Sequence, residues 1–229
     1  MKLGIYGGGF KPLTMGHYSM LALAAKENDK VILLYGMAGR SKGSDFVYSQ
    51  KMAEEIFQIN EAAIKTKFNN VIIEKAIPSP IYHSIGAILS VRDGKVEPGS
   101  LFDRYGIDPT EVSLTIYAGP DDIGTYQKYS GIPNVRFDTG PGEADGTKRM
   151  EAAVLHFDEK LDDISNRIAI RGSKLRAMIG TTDMENLMKY FPPIYTQDQK
   201  MRIFEIMLEG IPKTTNETLR RVISYMVRG

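Results

Sequence analysis

The chain contains no cysteine. Disulfides and thiolate metal sites are therefore excluded, which fits a reducing compartment. Neither sign of charge dominates: 29 Lys and Arg face 28 Asp and Glu, for a formal net charge of +1. That balance argues against a broad basic face for duplex nucleic acid, so affinity for phosphate has to come from a local site. No stretch reaches the roughly 18 apolar residues of a membrane span. The opening "MKLGIYGG" lacks the apolar run and small-residue cleavage site of a signal peptide. The expectation is a cytoplasmic protein with no membrane and no nucleic-acid partner.

What is present is ordinary globular material. The 229 residues are 42% hydrophobic and 25% charged, enough for one sizeable core with an appendage. Short apolar runs recur at 2–7, 29–36, 70–76, 113–119 and 134–140, with a sixth expected at 167–172 ("RIAIRG"). They are continuously apolar rather than alternating, as buried parallel strands are. Helical spacing fills 15–28, 48–68 and 79–89, the last with Ser79 as N-cap and Pro80 at the first helical position. Strand alternating with helix predicts an α/β fold, an open doubly wound parallel sheet with helices on both faces. In such sheets ligands sit beyond the carboxyl ends of the strands, where strand order reverses. Residues 90–112 are rich in Gly, Pro and Asp and read as an insertion in a domain spanning 1–182. From 183 to 229 the pattern is purely helical, broken at Pro192-Pro193 and Gly210-Ile211-Pro212. Met184, Met188, Met201 and Met207 lie at helical spacing there and read as core or as a subunit contact, which leaves a homo-oligomer open.

The loop "GGGFKPLTMGH" (7–17) stands between the first strand and the first helix. A dinucleotide fingerprint needs G-x-G-x-x-G and an acid at the end of the second strand, which here ends "LLYG". No G-x-x-x-x-G-K-[S/T] run exists either. A third reading fits. Thr14 and His17 are three residues apart and share a face of the first helical turn. Gly16 between them lets a ligand approach the backbone. The helix start seats an anion on its amides, Pro12 stiffens the approach and Lys11 adds a mobile charge.

These residues resemble the [T/H]-x-G-H nucleotidyltransferase superfamily, the cytidylyltransferase-like enzymes, whose adenylyltransferase branch is favoured. "GGGFKPLTMGH" is similar to that family's first-strand signature. "IRGSKLRAMI" (170–179) is similar to its late I-S-[S/G]-T-x-x-R element, with Ser173 at the Thr position and Arg176 at the Arg. Arg171 stands where the family usually has Ser. "YAGPDD" (117–122) resembles the G-x-D turn after the fourth strand. The similarity spans about the first 180 residues; the helical tail and residues 90–112 have no counterpart.

The resemblance implies a Rossmann-like nucleotidyltransferase fold and transfer of a nucleoside monophosphate, AMP favoured, from a nucleoside triphosphate to a phosphorylated small acceptor such as nicotinamide mononucleotide, with release of pyrophosphate. It implies catalytic roles for His17, Lys11 and Arg176. It places the nucleotide on Gly7, Gly8, Gly9, Phe10, Thr14, Gly16, Gly119, Asp121, Gly172 and Ser173. Mg2+ is expected with the triphosphate, held mostly by substrate oxygens and water. The loop after the second strand carries Arg40, Lys42 and Lys51, the candidate contacts to the acceptor; taken alone, such a cluster is more often solvated. A pair such as Asp121 and Asp122 more often caps a helix, and His83 and His156 have no motif around them. Two alternatives stay open: a cytidylyltransferase using CTP with a sugar or alcohol phosphate, and a nucleotide-binding regulatory module without turnover.

Overall fold

The computed structural model describes residues 1–38, 48–158, 161–168, 175, 178 and 187–210. Its centre is one five-stranded, wholly parallel sheet: β1 (Lys2–Gly8), β2 (Lys30–Gly36), β3 (Val71–Ala76), β4 (Ser113–Tyr117) and β5 (Val135–Asp138). The spatial order is β3-β2-β1-β4-β5, so β1 is central and order reverses between β1 and β4. All five strands lie where apolar runs predict them, each ending within two residues of the expected boundary.

Period-two alternation divides the strands between two cores. Tyr6, Val31, Leu33, Tyr35, Val71, Ile73 and Tyr117 face one side; Leu3, Ile5, Ile32, Leu34, Leu114 and Ile116 face the other. The first side is covered by α1 (Met15–Glu27), α2 (Gln50–Lys67), α5 (Gly146–Phe157), α6 (Ile164–Ile168) and α7 (Gln197–Glu209). The second is covered by α3 (Pro80–Asp93) and α4 (Leu101–Arg104). α1 is buried nearly all round because the sheet lies on one flank and α5 on another. α2 is amphipathic: Ile56, Phe57, Asn60, Ala63 and Ile64 point inward.

Three local differences from the sequence expectations have physical causes. α3 begins at Ser79 and Pro80 as predicted but runs on to Asp93, where Gly94 at φ 63° closes it. Residues 90–112 then contribute to the core, since Leu101, Phe102, Ile107 and Val112 are buried beneath the sheet. Residues 167 and 168 of the expected sixth strand belong to α6, because Ile164 and Ile168 bury themselves at helical spacing; 169–172 lie outside the described residues. In the expected helical tail, α7 is seen with Thr196 as its N-cap, while 211–229 lie outside the described residues. Among the described residues no helix is long and apolar enough to cross a membrane.

Candidate active site

The reversal of strand order puts the ends of β1 and β4 side by side, with Tyr6 opposite Tyr117 in the register. The loops leaving those two strands are Gly8-Gly9-Phe10-Lys11 and Ala118-Gly119-Pro120-Asp121. Two turn-forming segments thus open at the point where such sheets take their ligands.

The loop after β1 is built for close packing. A Cβ on Gly7 would sit 2.8 Å from Pro80 Cβ, so glycine is what lets α3 start over the end of β1. A Cβ on Gly8 would meet the Phe10 ring at 2.7 Å. Gly9 is exposed, with open space around the position of a Cβ, and can admit a ligand to the backbone. Phe10 takes a left-handed φ of 43°, rare for a side chain of its size. Its ring is buried, edge-on to Tyr6 (centroids 5.0 Å) and to His17 (5.2 Å). Phe10 therefore supports the loop from below with a buried ring. Lys11 Nζ donates to the carbonyls of Gly36 (2.8 Å) and Ala38 (2.6 Å), tying this loop to the end of β2.

α1 opens with Thr14 in extended geometry at the N-cap. The Thr14 hydroxyl accepts the His17 N–H at 3.4 Å, while the Thr14 N–H donates to His17 Nδ1 at 3.1 Å. This reciprocal cap fixes the tautomer. A backbone amide can only donate, so Nδ1 accepts and the imidazole proton sits on Nε2. Thr14 is 1% exposed. Its hydroxyl lies 3.1 Å from the imidazole Nδ1 and accepts the helix amide of His17. The first-turn amides are also largely taken: Met15's donates to Tyr190 O, His17's to Thr14 Oγ1 and Tyr18's to Thr14 O. Among the described residues nothing accepts from the Gly16 amide, so one donor at the positive end of the helix remains for an anion.

On the β4 side, Gly119 O accepts from the amides of Asp122 and Ile123 and forms a tight turn. Asp121 is exposed, and Asp122 precedes a 3-10 turn without capping it through its side chain. Burial, and then the charge of Asp122, push the Tyr6 phenol well above its ordinary value. Lys51 is exposed in the first turn of α2, beyond the end of β2. The structure thus gathers Gly7, Gly8, Gly9, Phe10, Lys11, Thr14, Gly16 and His17 in one loop-helix unit, with Gly119 and Asp121 in the loop after the neighbouring strand β4. Arg40, Lys42, Gly172, Ser173 and Arg176 lie outside the described residues. Leu175, within the late motif, is fully buried in the core that α1 helps to build. His83 meets the Ile77 carbonyl at 2.8 Å and His156 is exposed against Phe157, so neither joins the site.

Sequence reasoning gave no role to the layer under the loop. The Phe10 carbonyl accepts from Tyr35 Oη at 3.0 Å and from Asn60 Nδ2 at 3.2 Å, and Asn60 Oδ1 in turn accepts from the Tyr195 hydroxyl. Asn60 carried one signal: a polar residue on the apolar stripe of α2.

No family model matches the chain. Among curated proteins it is similar to phosphopantetheine adenylyltransferases of Francisella tularensis, from subsp. novicida strain U112 and subsp. tularensis strain SCHU S4. To each it is 23% identical over 117 residues, half of this chain and 72% of the relative. Among solved structures it is similar to a putative nicotinate-nucleotide adenylyltransferase of Vibrio parahaemolyticus (17% identity, TM-score 0.43, 90% of this chain and 98% of that one). A Plasmodium falciparum nicotinic acid mononucleotide adenylyltransferase complexed with NaAD is comparable (16%, TM-score 0.44, 91% and 95%). The capped T-x-G-H helix start at the switch point of a parallel 3-2-1-4-5 sheet, together with these curated relatives, supports the cytidylyltransferase-like nucleotidyltransferase superfamily.

Proposed function

We propose that the protein is a cytoplasmic adenylyltransferase, moving AMP from MgATP to a small acceptor that ends in a phosphate monoester. The observation that carries this reading is the Thr14–His17 cap, which holds a neutral imidazole with its proton on Nε2 beside the Gly16 amide. Both are donors to an anion, and both are fixed before substrate arrives, which is how charge developing on a phosphate is stabilised most effectively.

In the reaction an acceptor phosphate oxygen attacks the α-phosphorus in line. The new P–O bond forms as the bond to the bridging oxygen breaks, and pyrophosphate leaves with the electron pair. No covalent enzyme intermediate is needed, so the lack of cysteine is no handicap. His17 Nε2–H donates to an α-phosphate oxygen in the transition state, and the Gly16 amide does the same from the helix start. Lys11 already stands at the end of β2 and presents positive charge to the triphosphate. Arg176, Ser173 and Gly172 complete the grip on the β- and γ-phosphates and the leaving pyrophosphate. Among the described residues no group of three His, Asp or Glu side chains is arranged to hold a metal ion. Mg2+ enters as part of MgATP, on phosphate oxygens and water.

Lys51, with Arg40 and Lys42, takes the acceptor's phosphate. Nicotinamide mononucleotide and phosphopantetheine, the acceptor named for the curated relatives, are the two acceptors to test first. Pyrophosphate release from ATP, and from CTP as control, measured across a panel of phosphate monoesters, tests the reading. ATP with one acceptor gives release, and His17→Ala lowers kcat about 10²- to 10³-fold. Nucleotide binding without release for every acceptor would instead make the protein a binding module.

A further inference from the structure

The glycine turn and His17 rest on a buried relay that starts in the C-terminal segment. Phe10 is the hinge of that relay. Its left-handed backbone, at φ 43°, is strained for a side chain of this size, so something must hold it. Two donors converge on its carbonyl: Tyr35 Oη at 3.0 Å and Asn60 Nδ2 at 3.2 Å. Asn60 is fully buried, and its remaining oxygen accepts from the Tyr195 hydroxyl, itself 4% exposed. An amide held from one end only could flip or tilt; the Tyr195 bond sets which end of Asn60 faces Phe10. Burial pushes the phenols of Tyr35 and Tyr195 well above their ordinary range, so both remain neutral donors throughout any assay. Above the carbonyl, the same Phe10 carries its ring to the edge of the His17 imidazole. The C-terminal segment makes a second contact nearby, where Tyr190 O accepts the Met15 amide in the first turn of α1.

We propose that Tyr195 is a positioning residue for nucleotidyl transfer: through Asn60 it locks the Phe10 carbonyl, and through Phe10 the glycine turn and the imidazole of His17. One side chain of the C-terminal segment, Tyr195, thereby bears on the catalytic geometry. This rests on the adenylyltransferase reading. It predicts that losing one buried hydroxyl beneath the loop changes turnover and leaves substrate affinity nearly intact.

The test compares wild type, Tyr195→Phe, Tyr35→Phe and Met207→Ala, the last loosening buried α7 packing while keeping all three polar side chains of the relay. Readouts are kcat and KM for MgATP in pyrophosphate release, the melting temperature, and 15N chemical shifts of the His17 ring. Tyr195→Phe should lower kcat about 10- to 100-fold with KM for ATP changed less than about threefold. It should also move the His17 ring nitrogens away from the fixed Nε2–H pattern. Met207→Ala should melt at least as early, yet keep the wild-type kcat and ring shifts below its melting point. If Tyr195→Phe does not fold, Tyr35→Phe, which removes one of the two donors to the same carbonyl, carries the same expectation. Wild-type kcat and ring shifts in the folded phenylalanine variants would overturn the proposal, as would an equal loss of kcat in Met207→Ala. Absence of pyrophosphate release in the wild type would instead sink the enzymatic reading on which it rests; the ring shifts would then still decide whether the relay sets the imidazole.

Discussion

Replacing Thr14 by valine isolates the cap from everything else around it. Valine matches threonine in shape and tolerates the observed φ of −97° and ψ of 171°, so the backbone is not strained. What disappears is one oxygen. The His17 amide, 3.4 Å from that oxygen, loses its acceptor, and the imidazole loses the contact that Thr14 Oγ1 makes with Nδ1 at 3.1 Å. Water cannot take its place freely, because residue 14 is 1% exposed. Loss of an N-cap costs about 0.5–2 kcal/mol; the long amide contact argues for the lower half of that range and the burial for the upper, so about 1 kcal/mol is expected. In a chain of this size that lowers the melting temperature by about 2–4 °C. Turnover should fall further than stability suggests. The imidazole keeps its bond from the Thr14 amide at 3.1 Å but loses the second restraint, and a loss of about tenfold in kcat is expected, short of that for His17→Ala. Thr14→Ser retains the oxygen and should behave like wild type. Urea unfolding and pyrophosphate release measure the two effects. Valine performing as well as serine in both would refute the reasoning.

Two further outcomes follow from the charge and phenol networks. Arg149 Nη2 bridges Glu27 (2.7 Å) and Asp138 (2.8 Å), and Asp138 is 2% exposed; Arg149→Met should cost about 3 kcal/mol in urea unfolding, the low end for a broken buried pair because the arginine is partly exposed. Its activity below the melting point should not change, since the bridge lies at the far end of α1 from His17. Stability should also fall in alkali. Burial first, then the bond to Glu74, pushes Tyr105 up to about 12, and burial raises Tyr6, Tyr18 and Tyr117 further. A folded-state pKa above the unfolded value stabilises fully below about pH 10 and is lost as pH climbs through the folded values. Melting temperature should therefore hold up to about pH 10 and drop steeply beyond it, in step with tyrosinate absorbance; a flat profile to pH 12 would contradict the assignment.

The sheet was legible because its strands are buried on both faces and so read as unbroken apolar runs. The start of α1 was legible because Thr, Gly and His at their spacing have few other uses together. Other parts were not, for reasons of chemistry. "RIAIRG" has strand-like composition, but the spacing that matters pairs Ile164 with Ile168, four residues apart. α5 opens on Gly146 after Asp145 in a left-handed conformation, without a side-chain cap to announce it. The burial of residues 90–112 was hard to see because Gly, Pro and Asp outnumber their four apolar anchors. The relay under Phe10 joins residues 10, 35, 60 and 195, and no local pattern links positions so far apart in the chain. That Thr14 caps α1 through its side chain needed coordinates too, since spacing alone does not say where a hydroxyl points.

A crystal structure with a non-hydrolysable ATP analogue and Mg2+ tests the central claim most directly. The α-phosphate should lie within hydrogen-bonding distance of His17 Nε2 and the Gly16 amide, with the guanidinium of Arg176 on the same triphosphate. A triphosphate bound elsewhere, or Arg176 turned to the opposite side of the molecule from His17, would contradict it.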